Sequence, residues 1–208
     1  MTRTLLCYGD SNTHGSMPMA DLGSSGRFGR DQRWPSLMAR DLADWQVIEE
    51  GHPGRTTVHD DPIEGAHRNG LTILPSILES HRPLDAVLLM LGTNDLKGRF
   101  SVNATDIALS LERLIAVIRA FTNNPQILLV APPPILETGP LAEMFEGGAA
   151  KSQTLGAAIA KAAKRSDVAF FDAADHIAVS PIDGIHYNAA THATLALALA
   201  RAVRHHFG

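Results

Sequence analysis

The chain has 208 residues, 45% of them hydrophobic, with ten histidines, one cysteine and a formal charge of -4. That is enough apolar material for one sizeable core, so a single domain over 1–208 is expected and a disordered tail is not. With pI ≈ 6.2 there is no broad basic field to hold phosphate backbones or to lie on an anionic bilayer, which argues against nucleic-acid and membrane partners.

Cys7 has no second cysteine to pair with, and "MTRTLLCYGD" is too short in its apolar run for a secretory signal, so a cytoplasmic location is expected. The longest apolar stretch, "LDAVLLMLG", is about half of what a bilayer crossing needs.

Taken in chain order, short apolar runs alternate with helical patterns. The first run, Thr4 to Tyr8, reads as a buried strand and breaks into "GDSNTHG". Ser11 therefore stands at a strand-to-helix turn, where a hydroxyl is exposed and the first N–H groups of a helix can face an anion. Taken alone, "GDSN" reads more readily as a helix cap, since Asp and Ser are ordinary N-cap residues. Ser16 to Gln32, rich in Gly, Ser and Met, is a long loop. It is followed by a helix over Pro35 to Leu42 and a strand over Trp45 to Ile48.

That second strand ends "VIEEGHPGRTT". Here Gly51 and Gly54 permit a turn or the close approach of a ligand to an N–H, while Arg55 and Asp60 to Asp61 read as loop structure. A helix over Leu71 to His81 leads to a strand over Ala86 to Leu91 that ends "GTND". The Asn94 amide there can donate to a developing oxyanion, and Asp95 can cap the next turn.

The helix over Thr105 to Phe121, the strand over Ile127 to Ala131, the Pro-rich loop Pro132 to Gly148, one helix over Ala149 to Lys164 and the strand over Val168 to Phe171 continue the alternation. "DGIHYNAATH" then precedes a last helix over Ala189 to His206. A His that takes a proton from a serine needs its other ring nitrogen held by an acceptor. Asp183, three residues upstream, is the candidate to hold His186, although the pair taken alone reads more readily as a turn Asp and a polar loop His.

Repeated β–α alternation argues for an α/β fold with a parallel sheet covered by helices on both faces. Long loops in such folds gather at the carboxyl ends of strands, where ligands bind, although they serve equally as oligomer contacts or plain surface. No repeat, low-complexity tract or linker divides the chain.

Four strand-end motifs together supply a serine, a glycine N–H, an asparagine amide and an Asp–His pair, the parts of an acyl-transfer site. Metal chemistry is not expected. No two histidines sit at the spacing of a helical zinc site with a suitable acid, His205 and His206 fall at a frayed terminus, and His192 reads as solvent-facing or interfacial.

On these blocks, "GDSN" at 9–12, Gly54, "GTND" at 92–95 and "DGIH" at 183–186, the chain resembles the SGNH (GDSL) hydrolase superfamily. The stretches "RWPSLMARDL", "VIEEGHPGRTTVHDDP" and "FEGGAAKSQTL" are similar to its bacterial arylesterase and acyltransferase branch. The resemblance implies a three-layer α/β/α sandwich with a five-stranded parallel sheet of flavodoxin-like order 2-1-3-4-5, no metal or other cofactor, small-molecule ester substrates and a homo-oligomer, commonly an octamer.

By position, it makes Ser11 the nucleophile, His186 the general base and then acid, and Asp183 its orienting partner. Ser11, Gly54 and Asn94 would form the oxyanion hole. Asp10, Asn12, Ile185, Trp34 and Phe145 are the expected substrate contacts, with Met17, Met19 and Ile135 as further pocket candidates or core residues. Asn12 departs from the family's usual Leu, at a position that need not touch the carbonyl. The same triad would serve a carbohydrate O-deacetylase or a lysophospholipase, and the fold without the chemistry would serve a binding protein.

Overall fold

A computed structural model describes residues 2–121 and 123–208. Five parallel strands form one sheet in the order β2-β1-β3-β4-β5: β1 (Arg3–Gly9), β2 (Trp45–Gly51), β3 (Ala86–Met90), β4 (Gln126–Ala131) and β5 (Ala169–Asp172). This is the order the motifs implied.

Side chains alternate across a strand, and the two faces gather separate cores. Leu6, Tyr8, Val87, Leu89, Ile127 and Leu129 pack against α3 (Gly70–His81), α4 (Ala104–Phe121) and α6 (Leu155–Arg165). Leu5, Cys7, Leu88, Leu128 and Val130 pack against α2 (Trp34–Asp41) and α7 (Ala189–Phe207). The inner strand β3 is buried along its whole length, whereas the edge strands β2 and β5 are mostly half-buried, because an edge lacks one neighbour.

Helix α7 shows how the sequence fixes an element. The Asn188 side chain caps it by accepting from the Thr191 N–H at 2.9 Å. Its buried stripe then runs His192, Leu195, Ala196, Leu199, Ala200 and Val203, at three- and four-residue steps. Truncating Leu199 to Ala there would cost about 2–5 kcal/mol.

His192 belongs to this stripe and is fully buried, not solvent-facing as the sequence suggested. Its Nδ1 accepts from the Trp34 N–H at 3.3 Å, and its ring meets Phe28 and Tyr187 edge-on. Burial, then the charge of His186, lowers its pKa to about 4, so it is a neutral core residue. The C-terminus is not frayed either: α7 continues through the buried Phe207, which packs on Trp45.

The helix expected over Ala149 to Lys164 is two helices, α5 (Gly148–Ser152) and α6. The break follows from Ser152, whose Oγ donates to Ala149 O at 2.6 Å and accepts from the Ile135 N–H at 3.1 Å. That ties the first turn to the Pro-rich loop and leaves α6 to pack on the sheet. Among the described residues no helix is long and apolar enough to cross a membrane.

Candidate functional site

Strands β1, β2 and β3 end level with one another, Gly9 pairing with Gly51 on one side and Met90 on the other. The chain leaving each therefore enters one small region above the sheet. β1 passes through Asp10 into the short helix α1 (Ser11–His14), with the Asp10 carboxylate accepting from the Asn12 N–H at 2.9 Å.

Gly51 lets the end of β2 press against this helix, since a Cβ there would lie 2.0 Å from His14 N. Gly54, with φ +74°, makes the turn that follows, and Asn94 opens a 3₁₀ turn after β3.

The segment before α7 brings the remaining residues. His186 Nε2 lies 3.1 Å from Ser11 Oγ, and His186 Nδ1 lies 2.6 Å from Asp183 Oδ2. Asp183 is fully buried and accepts three backbone donors besides: the N–H groups of Ile185 and His186, each at 3.0 Å, and that of Met19 at 2.8 Å. Burial by itself would raise this carboxyl, but the hydrogen bond and charge of His186 and the backbone donors outweigh it and hold its pKa at about 2. The ionised carboxylate can only accept, so Nδ1 carries the ring proton and Nε2 is left to accept from the serine hydroxyl.

Ser11, Gly54, Asn94, Ile185 and His186 all line one cavity of about 560 Å³. Both long loops wall it, Ser16 to Gln32 through Met17, Met19 and Leu22, and Pro132 to Gly148 through Leu141, Met144 and Phe145. The Ser11 N–H, at the first helical position, has no preceding turn to accept it. One Asn94 amide hydrogen goes to Arg55 O at 3.1 Å, leaving the second for the cavity.

Several expected contacts lie elsewhere. Trp34 is fully buried at the start of α2, inside the core beneath α7, because its helix turns that face to the sheet. Asp10 and Asn12 are also buried and do not line the cavity; both side chains are spent on backbone partners. Ile135 is core. Ile185 and Phe145 do face the cavity, as do Met17 and Met19.

Sequence reasoning also missed Lys97, a buried cation on the cavity wall that pairs with Glu64 and, at 3.4 Å, with Asp61. Its only sequence signal was a lysine following "GTNDL" beside an otherwise apolar strand. Arg55 is likewise more than loop structure. It is buried, lies 4.1 Å above the Tyr8 ring and donates to Gly9 O at 2.8 Å and to Glu50 O. Among the described residues no group of three His, Cys, Asp or Glu side chains is placed to hold a metal ion.

Residues 7–194 match the GDSL-like lipase/acylhydrolase family. A comparison with curated proteins gives no match. Among solved structures, the M. smegmatis aryl esterase is 39% identical, with 99% of this chain and 100% of that one covered and a TM-score of 0.95. Est24, a carbohydrate acetylesterase from Sinorhizobium meliloti, is 39% identical over 99% and 100% of the two chains, with a TM-score of 0.94. A lipase/acylhydrolase from Enterococcus faecalis shares the fold at 20% identity, over 98% and 96% of the two chains with a TM-score of 0.68. The chain belongs to the GDSL (SGNH) hydrolase family, in its arylesterase and acetylesterase branch, and is a carboxylic ester hydrolase.

Proposed function

We propose that the whole chain acts as one domain that cleaves small short-acyl or aryl esters through a Ser11–His186–Asp183 triad and an acyl-enzyme. The observation that carries this reading is the continuous hydrogen-bond chain from Asp183 through His186 to Ser11, opening into the cavity that Gly54 and Asn94 also face.

Ser11 Oγ attacks the ester carbonyl while its proton passes to His186 Nε2, and the Asp183 carboxylate stabilises the imidazolium. The carbonyl oxygen, now anionic, takes hydrogen bonds from the N–H groups of Ser11 and Gly54 and from the Asn94 side chain. The departing alcohol leaves with the proton from His186. Water, deprotonated by the same nitrogen, then releases the acid. An alcohol in place of that water gives a new ester, so acyl transfer belongs to the same site.

Met17, Met19, Leu141, Met144, Phe145 and Ile185 supply apolar surface for an acyl or aryl group. The deciding experiment is steady-state hydrolysis of p-nitrophenyl esters from acetate to octanoate, with Ser11→Ala as control. Activity peaking at acetate and abolished in the control supports the reading. A rise toward octanoate would point to lysophospholipid-like substrates. An organophosphonate that leaves wild-type Ser11 unlabelled would count against Ser11 as the nucleophile and favour the reading as a binding protein on the same fold.

A second reading is carbohydrate O-deacetylation. It is favoured by the polar half of the cavity wall, where His14, Ser16, Ser24, Arg27, Glu64 and Lys97 offer partners for sugar hydroxyls. Acetylated oligosaccharide cleaved with higher kcat/KM than p-nitrophenyl acetate would select it. We also infer a homo-oligomer, an octamer by resemblance, in keeping with exposed Leu22, Ile63 and Ile182 near residues of the site.

A further inference from the structure

The residue after the serine has an unusual set of contacts. Asn12 is buried and its amide is engaged at both ends: Nδ2 donates to Ile185 O at 3.1 Å, and Oδ1 accepts from the Tyr187 N–H at 3.2 Å. These are the backbone groups on either side of His186. One side chain, covalently adjacent to Ser11, thus grips both flanks of the residue whose Nε2 lies 3.1 Å from Ser11 Oγ.

The rest of the His186 backbone is also tied. Its N–H goes to Asp183 Oδ1 at 3.0 Å and its carbonyl accepts from the Ser180 N–H at 2.8 Å. Those bonds anchor the loop to itself. Within this set, the Asn12 amide anchors it to the α1 turn that carries the serine.

We propose that Asn12 is a positioning residue for His186, setting the Ser11–His186 distance through the backbone of Ile185 and Tyr187, and makes no contact with substrate. This rests on the triad reading above. Its physical basis is twofold. Without the amide, a buried carbonyl and a buried N–H lose their partners, and the segment must shift to satisfy them. A nucleophile and base held at hydrogen-bond distance are also sensitive to small displacements, about 1 Å costing up to about a hundredfold. The α1 side chain is thereby given a role different from that of a Leu at the same place. A Leu fills the space but cannot hold the two backbone groups, and the link between α1 and this loop must then rest on packing and on the Ser11–His186 contact itself.

The test is Asn12→Leu, which keeps the branched shape and heavy-atom count at a larger volume and removes both hydrogen bonds, made in wild type and in His186→Ala. With p-nitrophenyl acetate, kcat is expected to fall about ten- to a hundredfold in wild type while KM stays within about twofold. In His186→Ala, whose residual turnover no longer depends on the imidazole, the same change is expected to have no further effect. Asn12→Ala, which adds no branched volume, is carried in parallel and decides the matter if the Leu variant does not fold.

Unchanged kcat in a folded variant overturns the proposal. So does an equal loss in both backgrounds, which marks a general structural role. A rise in KM with kcat intact overturns it too, because that is the signature of substrate contact. Ser11→Ala with wild-type turnover would remove the triad reading and this proposal together, whereas an inactive Ser11→Ala with an unaffected Asn12→Leu removes only the proposal.

Discussion

Asp10 sits between the sheet and Ser11, the proposed nucleophile; the residue is 2% exposed and its carboxyl accepts from the Asn12 N–H. Burial pushes its pKa up to about 6 from 3.8, against the lowering effects of that hydrogen bond and of the charges on His186 and Arg55. An acid whose pKa is raised on folding holds its proton longer in the folded state. Stability therefore falls as pH rises from about 4 to about 6, and the penalty is complete above that window.

Ionising a carboxyl held this far above its ordinary range costs the fold about 3 kcal/mol at pH 8, and only about half a kcal/mol at pH 4. Asp10→Asn keeps an acceptor for the Asn12 N–H and removes the charge, so it should recover that energy. For a chain of this length the gain is about 6–12 °C in Tm at pH 8, shrinking to about 1–2 °C near pH 4. Calorimetric melts of wild type and variant across pH 4–8 check this, since other titrations cancel in the difference. Turnover moves the other way: the carboxylate favours a positive His186 ring, so kcat of the variant should drop as stability rises. A variant that melts lower than wild type at pH 8, or a difference that does not change with pH, would refute the reasoning by showing that the charge is already compensated.

Asn94→Ala should lower kcat by about a hundredfold or more and, by leaving the buried Arg55 O without its donor, lower the melting temperature by a few degrees; near-normal turnover would remove the side chain from the oxyanion hole. Asp183→Asn replaces an acceptor of four donors by an amide with a single accepting oxygen, so the imidazole loses its tautomer; kcat should fall by about 10⁴, and a loss of less than about tenfold would show that His186 is oriented by the backbone alone. Light scattering is expected to give a multiple of the 22.3 kDa chain mass, and a monomer would leave the two long loops as walls formed by one chain only.

The legible parts of the sequence were those where one local rule acts alone. Buried parallel strands need continuous apolar runs and polar motifs gather where those runs stop, so Ser11, Gly54 and Asn94 could be singled out at strand ends, while Asp183 and His186, well past the end of β5, were singled out by their spacing before the last helix; the roles proposed for all five came from their conjunction and from the family resemblance. Their meeting in one cavity depends on the level ends of β1, β2 and β3, which residue types do not encode. The misreadings came from side chains with two plausible environments. Trp34 follows a loop and precedes a proline, which suits a pocket wall, yet as the first residue of α2 it faces the sheet. His192 could have been placed correctly, because it falls three residues before Leu195 on the apolar stripe of α7; its imidazole drew attention away from its position. The break after Ser152 was not readable, since it depends on a hydrogen bond to Ile135 across the intervening Pro-rich loop.

What the local motifs leave open is how the three groups proposed as oxyanion donors, on three loops, keep a fixed geometry, and the buried cation of Arg55 answers part of it. Its backbone follows Gly54, its carbonyl accepts from Asn94, and its guanidinium holds Gly9 O, two residues before Ser11. Asp95, next to Asn94, closes the frame from the other side by accepting the Thr57 N–H at 3.0 Å and the Thr57 hydroxyl. The donors are thus cross-braced through buried polar bonds, not through apolar packing, which tolerates sliding. Such bonds are costly to leave half-made, so the frame has one low-energy arrangement. That is the condition under which fixed donors stabilise a developing oxyanion without reorganising as the reaction proceeds. It also explains how Arg55, Thr56 and Thr57 can be buried in a loop with little apolar content: the Thr56 hydroxyl donates to His59 O, Thr57 bonds to Asp95, and the Arg55 guanidinium donates to Gly9 O and Glu50 O, although its Nε is left without a partner among the described residues.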